Sequence, residues 1–353
     1  MKEFGSDFHY LSHLGKIVDG TEKLTIYTMF NHLQGYASGR HAIEAIAINK
    51  GWKRIWIPSY FCYEVIDYLS QEVGISIIQY DDNPLSKKDS EIVKALPYED
   101  GDALLRVNFY GLREFRSNKG IKVPVIEDHT HDMMSEWSLK SDADFCISSI
   151  RKSMPTAAGG ILWSPKRLQL PKAIEETEEC KAMVMIRYEA MRLKHEYLIG
   201  HTVNKGIYRE KMQESEKIID KLRLSGMDVE SMDILKKMNY GLWSNLKTVN
   251  WKIAFKTLSK RFNILKPTGN IANSHPFSII ILCDTPEERI ALRQHLIKNR
   301  IYPAILWQVP EDLKFPQSID FSKRMLSVHC DPRYSTSEIK EMCERILEFK
   351  HQN

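Results

Sequence analysis

The sequence predicts an α/β fold built on a mostly parallel sheet, followed by a smaller α/β unit. Two observations carry the prediction. Between residues 35 and 165, short apolar, β-compatible runs alternate with amphipathic stretches at helical spacing, the pattern of βαβ units. Polar, chemistry-bearing residues follow directly on these runs, and parallel sheets place ligands at the carboxyl ends of their strands.

The elements read in chain order as follows. Residues 1–34 are mixed and aromatic-rich and are expected to form an N-terminal arm. A helix starts near Arg40, because Ala42, Ile43, Ile46 and Ala47 fall at helical spacing; Ser38 caps it and Gly51 ends it. The Ser-Gly start offers free N–H groups to an anion, although an ordinary capped helix reads the same way. Arg54–Pro58 is a short strand, 59–63 a loop, 64–72 an amphipathic helix and 74–80 a strand. Residues 102–111 read as strand then turn, and 123–128 as another strand. Residues 171–240 are helical and 250–265 continue that pattern. The closing unit has strands at 277–283, 301–307 and 325–329. Its helices begin after Thr285, with Pro286 in the first turn, and from Ser335. The expected domains are 35–240 and 241–353. The strand ends 58–63, 108–111, 128–131 and 148–152 are expected to face one crevice.

Composition excludes several function classes. The chain has 50 basic and 46 acidic residues, so no charge excess points to nucleic acid. No apolar run approaches transmembrane length, and the N-terminus lacks the apolar core of a signal peptide. The six cysteines are scattered with no C-x-x-C pair, which fits reduced thiols and a cytoplasmic location.

The stretch 144–160 holds the strongest chemical signal. Phe145, Cys146 and Ile147 form a strand, and Ser148, Ser149, Arg151 and Lys152 follow it before Gly159 and Gly160. A lysine just past a buried strand, among hydroxyls and an arginine, suits a Schiff base; the glycines would leave room for a cofactor ring. Taken alone, Lys152 also reads as a solvated loop lysine. Glu127 and Asp128 end the preceding strand, where a carboxylate can pair with a protonated pyridine nitrogen. A metal site from Asp128, His129, His131 and Asp132 is the competing reading. Strand alternation splits that set between two faces, so no metal is expected.

Ser38-Gly39-Arg40, then Glu127-Asp128 with His131, then Ser149 with Lys152, resemble in this order the fold-type I pyridoxal-phosphate enzymes, specifically the DegT/DnrJ/EryC1/StrS aminotransferase family. The resemblance implies a large domain with a mostly parallel seven-stranded sheet and a smaller C-terminal α/β domain. It implies that Lys152 carries pyridoxal 5′-phosphate, with Lys152 and Asp128 as the catalytic pair. Gly39, Arg40, Phe61, Cys62, His131 and Ser149 complete the cofactor site. Asp128 would hold the pyridine nitrogen, His131 would lie near the ring hydroxyl, and Ser149 would bind the phosphate, with Ser148 second. The family's stacking aromatic falls on Cys62, which leaves Phe61 or Tyr63 to cover the ring. The phosphate-binding segment of a neighbouring subunit is not recognisable in 165–250. The implied activity is transfer of an amino group from an amino-acid donor, glutamate in the family, to a keto acceptor such as a nucleotide-linked sugar. The implied assembly is a homodimer. A lyase or synthase on the same scaffold, or a non-catalytic binding protein, is the alternative.

Overall fold

The computed structural model describes residues 2–11, 24–30, 32–87, 89–269 and 274–350. Part of the expected arm, residues 12–23, therefore lies outside the described residues.

Eleven strands are named here in chain order: β1 Phe4–Gly5, β2 Leu33–Tyr36, β3 Arg54–Pro58, β4 Ser76–Tyr80, β5 Asp102–Val107, β6 Val125–Asp128, β7 Phe145–Ser148, β8 Gly160–Trp163, β9 Ile279–Leu282, β10 Ile301–Tyr302 and β11 Met325–Val328. A seven-stranded sheet has the order β2-β8-β7-β6-β5-β3-β4. Strands β4, β3, β5, β6 and β7 run parallel; β8 runs antiparallel to both its neighbours. The central parallel strands β5, β6 and β7 are buried along their whole length, because both faces of the sheet are covered there. Alternate residues supply two separate cores: Trp56, Leu104, Val125 and Cys146 face one side, and Ile55, Ile57, Leu105, Ile126 and Ile147 the other.

The longer helices are α1 Gly39–Lys50, α2 Glu178–Leu198, α3 Lys205–Lys221, α4 Val229–Lys237, α5 Tyr240–Leu258, α6 Pro286–Lys298, α7 Pro316–Arg324 and α8 Thr336–Leu347. Helix α1 covers one face of the sheet with Ala42, Ile43, Ile46 and Ala47. Its bounds match the expected ones, Ser38 at the N-cap and left-handed Gly51 at the C-cap. Helices α2, α3 and α4 cover the opposite face through residues such as Met183, Met191, Met212 and Leu235. Helix α5 divides its side chains. Tyr240 and Trp243 enter the sheet core, while Trp251, Ala254 and Leu258 enter a third core shared with β9, β11, α6 and α8. The boundary expected between 240 and 241 falls at the start of this helix.

Some expectations change. Strand β2 had no sequence signal, because Leu33-Gln-Gly-Tyr36 is short, carries a glycine and relies on pairing with β8. The strand expected over 301–307 survives only as Ile301–Tyr302, which pairs with β1 of the N-terminal segment. The helix expected over 64–72 is an α-turn, Tyr63–Asp67, widening into a π-turn, Tyr68–Glu72.

Candidate active site

Three strand ends and the start of α1 enclose a cavity of about 330 Å³. Its wall includes Ser38, Gly39, Phe61, Asp128, Ser149 and Lys152. The fourth expected strand end, 108–111, is not in the wall. It lies one layer behind, where the Tyr110 N–H donates to His131 Nδ1 at 3.0 Å.

The anion-ready end of the cavity follows from close backbone approach. A Cβ on Gly39 would sit 3.0 Å from Ser149 Cβ, a tight contact, so glycine lets α1 start closely against the β7 loop. A Cβ on Gly160 would sit 2.1 Å from the Ser38 carbonyl oxygen, so β8 passes directly beneath the cap. This corrects the expectation for the glycine pair: it serves backbone packing, not space for a ring. The outcome is the N-terminus of a 12-residue helix, with its unpaired N–H groups and dipole, facing the cavity beside Ser149. The Ser149 backbone N–H donates to Thr130 Oγ1 at 2.9 Å, which orients the loop; its hydroxyl has no partner among the described residues. Ser148 is fully buried and does not reach the wall.

Asp128 ends β6, next to β7, with Asp128 and Ile147 in register. It is buried, and its hydrogen bonds come from Thr130 alone among the described residues, the backbone N–H at 2.8 Å. Burial pushes its carboxyl above the ordinary aspartate range, against the pull of Thr130 and the Lys152 charge. Lys152 follows β7 in a short 3₁₀ turn, Ile150–Lys152. Its amine lies 5.5 Å from the Trp307 ring centre and makes no hydrogen bond or ion pair among the described residues. A carboxylate lacking a cationic partner and an amine lacking an acceptor thus share one cavity.

The remaining expected residues occupy mixed positions. Phe61 and Trp307 both line the cavity, with ring centres 5.6 Å apart. Cys62 lines it too; its thiol donates to Glu64 at 2.8 Å, and burial pushes it up to about 11. Arg40 lines the cavity, but its guanidinium is turned to the Ile219 carbonyl and Asp220 of α3. His131 is not in the wall. It packs behind Trp307, ring centres 5.7 Å apart, and against Phe277 at 4.6 Å. Burial, with the Lys152 charge, holds its imidazole well below the ordinary value.

Thr130, Arg151 and Glu216 are wall residues that the sequence reading did not assign to the site. Thr130 carried a signal, since it shares a strand face with Asp128. Glu216 comes from a distant segment and had none; Trp307, also distant, reads in sequence as either a pocket-lining or a core tryptophan, and it lines the cavity. Arg333, in Asp331-Pro-Arg-Tyr334, reads in sequence equally as a donor-carboxylate ligand or a surface salt-bridge residue; it is buried and engaged by Asp331 and by the Ser6 and Asp7 carbonyls.

The competing metal set does not converge. His129 turns to Glu127 at 3.0 Å, Asp132 accepts from the His275 N–H at 2.8 Å, and His131 enters the aromatic stack. Glu127, His129 and Cys146 do cluster, but the Glu127 carboxylate already accepts from Asn118, Ser141 and His129. The geometry instead suits an organic ligand with an anionic group at one end and a protonated ring nitrogen at the other, within reach of a lysine amine.

No protein-family model and no curated protein sequence matches the chain. Solved structures do. Spr1654 from Streptococcus pneumoniae, assigned as a sugar aminotransferase and solved in its PLP form, aligns with TM-score 0.63 at 12% identity over 98% of both chains. Helicobacter pylori PseC, an aminotransferase involved in the biosynthesis of pseudoaminic acid, gives 0.61 at 13% identity over 98% of this chain and 99% of that one. A DegT DnrJ EryC1 StrS aminotransferase from Brucella abortus gives 0.59 at 15% over 95% and 94%. At these identities the likeness shows the fold, which is that of the type I pyridoxal-phosphate enzymes.

Proposed function

We propose that the protein is a pyridoxal-phosphate-dependent aminotransferase similar to the DegT/DnrJ/EryC1/StrS enzymes. It moves an amino group from an amino-acid donor, glutamate by resemblance, to a keto group of a sugar carried on a nucleotide. One observation carries the reading. Lys152 and Asp128, neither with an ion-pair partner among the described residues, open from adjacent strands into a cavity that a helix N-terminus and the Ser149 hydroxyl also line.

The residues present fit the cofactor. Lys152 would form the covalent link, Asp128 would hold the ring nitrogen, and Ser149 with the first N–H groups of α1 would hold the phosphate. Phe61 and Trp307 would cover the ring where the family has an aromatic at the place of Cys62. When bound, pyridoxal phosphate supplies an electron sink for cleavage of a bond next to the amine. The chain supplies the rest. Asp128, ionised against a cationic nitrogen, keeps a proton on that nitrogen. Lys152 moves a proton at the reacting carbon as general base and then general acid. Trp307, from the C-terminal unit, places its ring 5.5 Å from the amine and would border the reacting centre.

The test is an absorbance spectrum of the purified protein with added pyridoxal phosphate, then borohydride reduction and peptide mapping. A near-visible band and an adduct on Lys152 are expected. No band and no adduct would overturn the reading. A homodimer is proposed with it, on the resemblance alone, and sedimentation tests that: a monomer at micromolar concentration would refute it.

A further inference from the structure

We propose that a second chamber, on the far side of Lys152, is an oxyanion subsite. Arg151 and Arg187 receive a carboxylate or phosphate group of a substrate there, and Glu216 holds their place until it arrives. The inference rests on the proposed function for the reacting role of Lys152.

The chamber has a volume of about 470 Å³ and shares Arg151, Lys152, Glu216 and Leu306 with the cavity described above. Its other walls come from the N-terminal segment at Asp7, from α2 at Arg187 and from the C-terminal unit at Phe277, Tyr302 and His329. A molecule seated there places one end at the Lys152 amine and the other among the arginines.

Charge favours an anion. Arg151, Arg187, Lys194 and Arg333 stand in or behind the wall, against Asp7, Glu216 and Asp331. Burial and then the Arg333 charge bring the Lys194 amine down to about 7 and the His329 imidazole to about 4. The region resists further positive charge.

Glu216 is arranged as a stand-in. A single oxygen, Oε1, accepts from Arg151 Nη1 at 2.8 Å and from Arg187 Nη1 at 2.9 Å. Arg187 Nη2 is held by Asp7 at 2.9 Å, which fixes the fork. Arg151 keeps a buried Nε with no hydrogen-bond partner among the described residues. The Glu216 side chain is 37% exposed, so it can rotate to water. An incoming oxyanion would offer acceptors to both arginines and to the unused Nε, and bidentate pairing is stronger than one shared oxygen. Two sources carry this chemistry: the carboxylate of an acidic amino donor and the phosphate of a nucleotide-linked acceptor.

The experiment titrates the pyridoxal-phosphate-loaded protein with succinate and separately with pyrophosphate, by calorimetry. Neither probe has an amine or a ketone, so binding is read without turnover. Binding in the millimolar range or tighter is expected for at least one probe. Preference for succinate assigns the subsite to the donor, and preference for pyrophosphate to the acceptor. Arg187→Gln should weaken binding about tenfold or more, with the cofactor band unchanged. Arg187→Lys, which keeps the charge and the tie to Asp7, should fall between and serves if the glutamine variant does not fold. Glu216→Gln should tighten binding about threefold. Binding of neither probe, or binding insensitive to Arg187, overturns the proposal. Weakening by Glu216→Gln overturns the stand-in role. If the protein takes no cofactor, the proposed function fails. Succinate binding to the unloaded protein, and its loss in the Arg187 variants, then still decides the chamber, because Arg187 does not line the cofactor cavity.

Discussion

The two faces of β6 hold adjacent carboxylates with opposite fates. On one face, Glu127 accepts from Asn118 at 2.7 Å, Ser141 at 2.6 Å and His129 at 3.0 Å. Burial works against its charge, yet the His129, Ser141 and Asn118 bonds outweigh it and hold the carboxyl below its ordinary value. On the other face, Asp128 has Thr130 alone, and burial pushes its carboxyl up. One strand therefore carries a saturated carboxylate and an unsaturated one. The first is structural. The second pairs with no cation among the described residues and faces the cavity. Elsewhere in the sheet layer, Arg106 with Asp89 and Asn118, and Arg113 with Asp82, are likewise charges paired within the fold. A buried polar group without partners is costly, so its presence in a cavity points to a ligand.

Substitutions can break this contrast, and the largest effect is expected at Lys152. Lys152→Ala should remove the borohydride-trapped adduct and lower turnover about a thousandfold or more. Transamination at the parent rate would refute the central assignment. Glu127→Ala comes next and acts on the other property. It leaves Asn118, Ser141 and His129 without their shared acceptor, and should cost about 3 kcal/mol in urea denaturation while the folded fraction still takes up cofactor. Asp128→Asn should do the reverse: cofactor stays bound, and turnover falls about a hundredfold. Ser149→Ala should weaken cofactor affinity about tenfold in an absorbance titration, with little change in stability.

The smallest effect is the pH dependence of stability in the cofactor-free chain, and its sign separates the two carboxylates. Glu127 has a lowered carboxyl pKa in the folded state. Its contribution is complete above the unfolded value and is lost as pH falls through the folded one. Asp128 has a raised pKa. Its cost is absent below the unfolded value and complete above the folded one. Urea titrations from acid to neutral pH should therefore show Asp128→Asn more stable than the parent near neutrality and equal to it in acid. Glu127→Gln should lose its deficit on acidification. The same slope for both variants would erase the distinction between the faces.

Much of this was legible before the structure. Helix α1, its Ser38 cap, its Gly51 stop and strand β3 were readable to the residue, because local periodicity and capping chemistry set them. The order Gly39, Asp128, Ser149, Lys152 also located the cavity. The places where the reading failed share a cause. Strand β2 exists only through its pairing with β8. His131 was placed beside the ring by the resemblance, but the chain turns after the strand, and packing against Trp307 and Phe277 carries it behind the wall. Gly160 reads as room for a ring until the Ser38 carbonyl is seen against it.

The sequence by itself determined the fold class, the strand ends that bear the chemistry and the pairing of a lysine with an acid one strand away. These follow from hydrophobic period and turn residues, which act over a few positions. Only the tertiary structure decided which buried groups were left unsatisfied. Glu127 and Asp128 are neighbours of the same chemical type, and what separates them is supplied by Asn118, Ser141 and His129 on one side and by an open cavity on the other. It also brought Trp307 and Glu216 to Lys152 from far along the chain. Hydrogen-bond satisfaction depends on every group within about 3 Å, and chain distance carries no information about that.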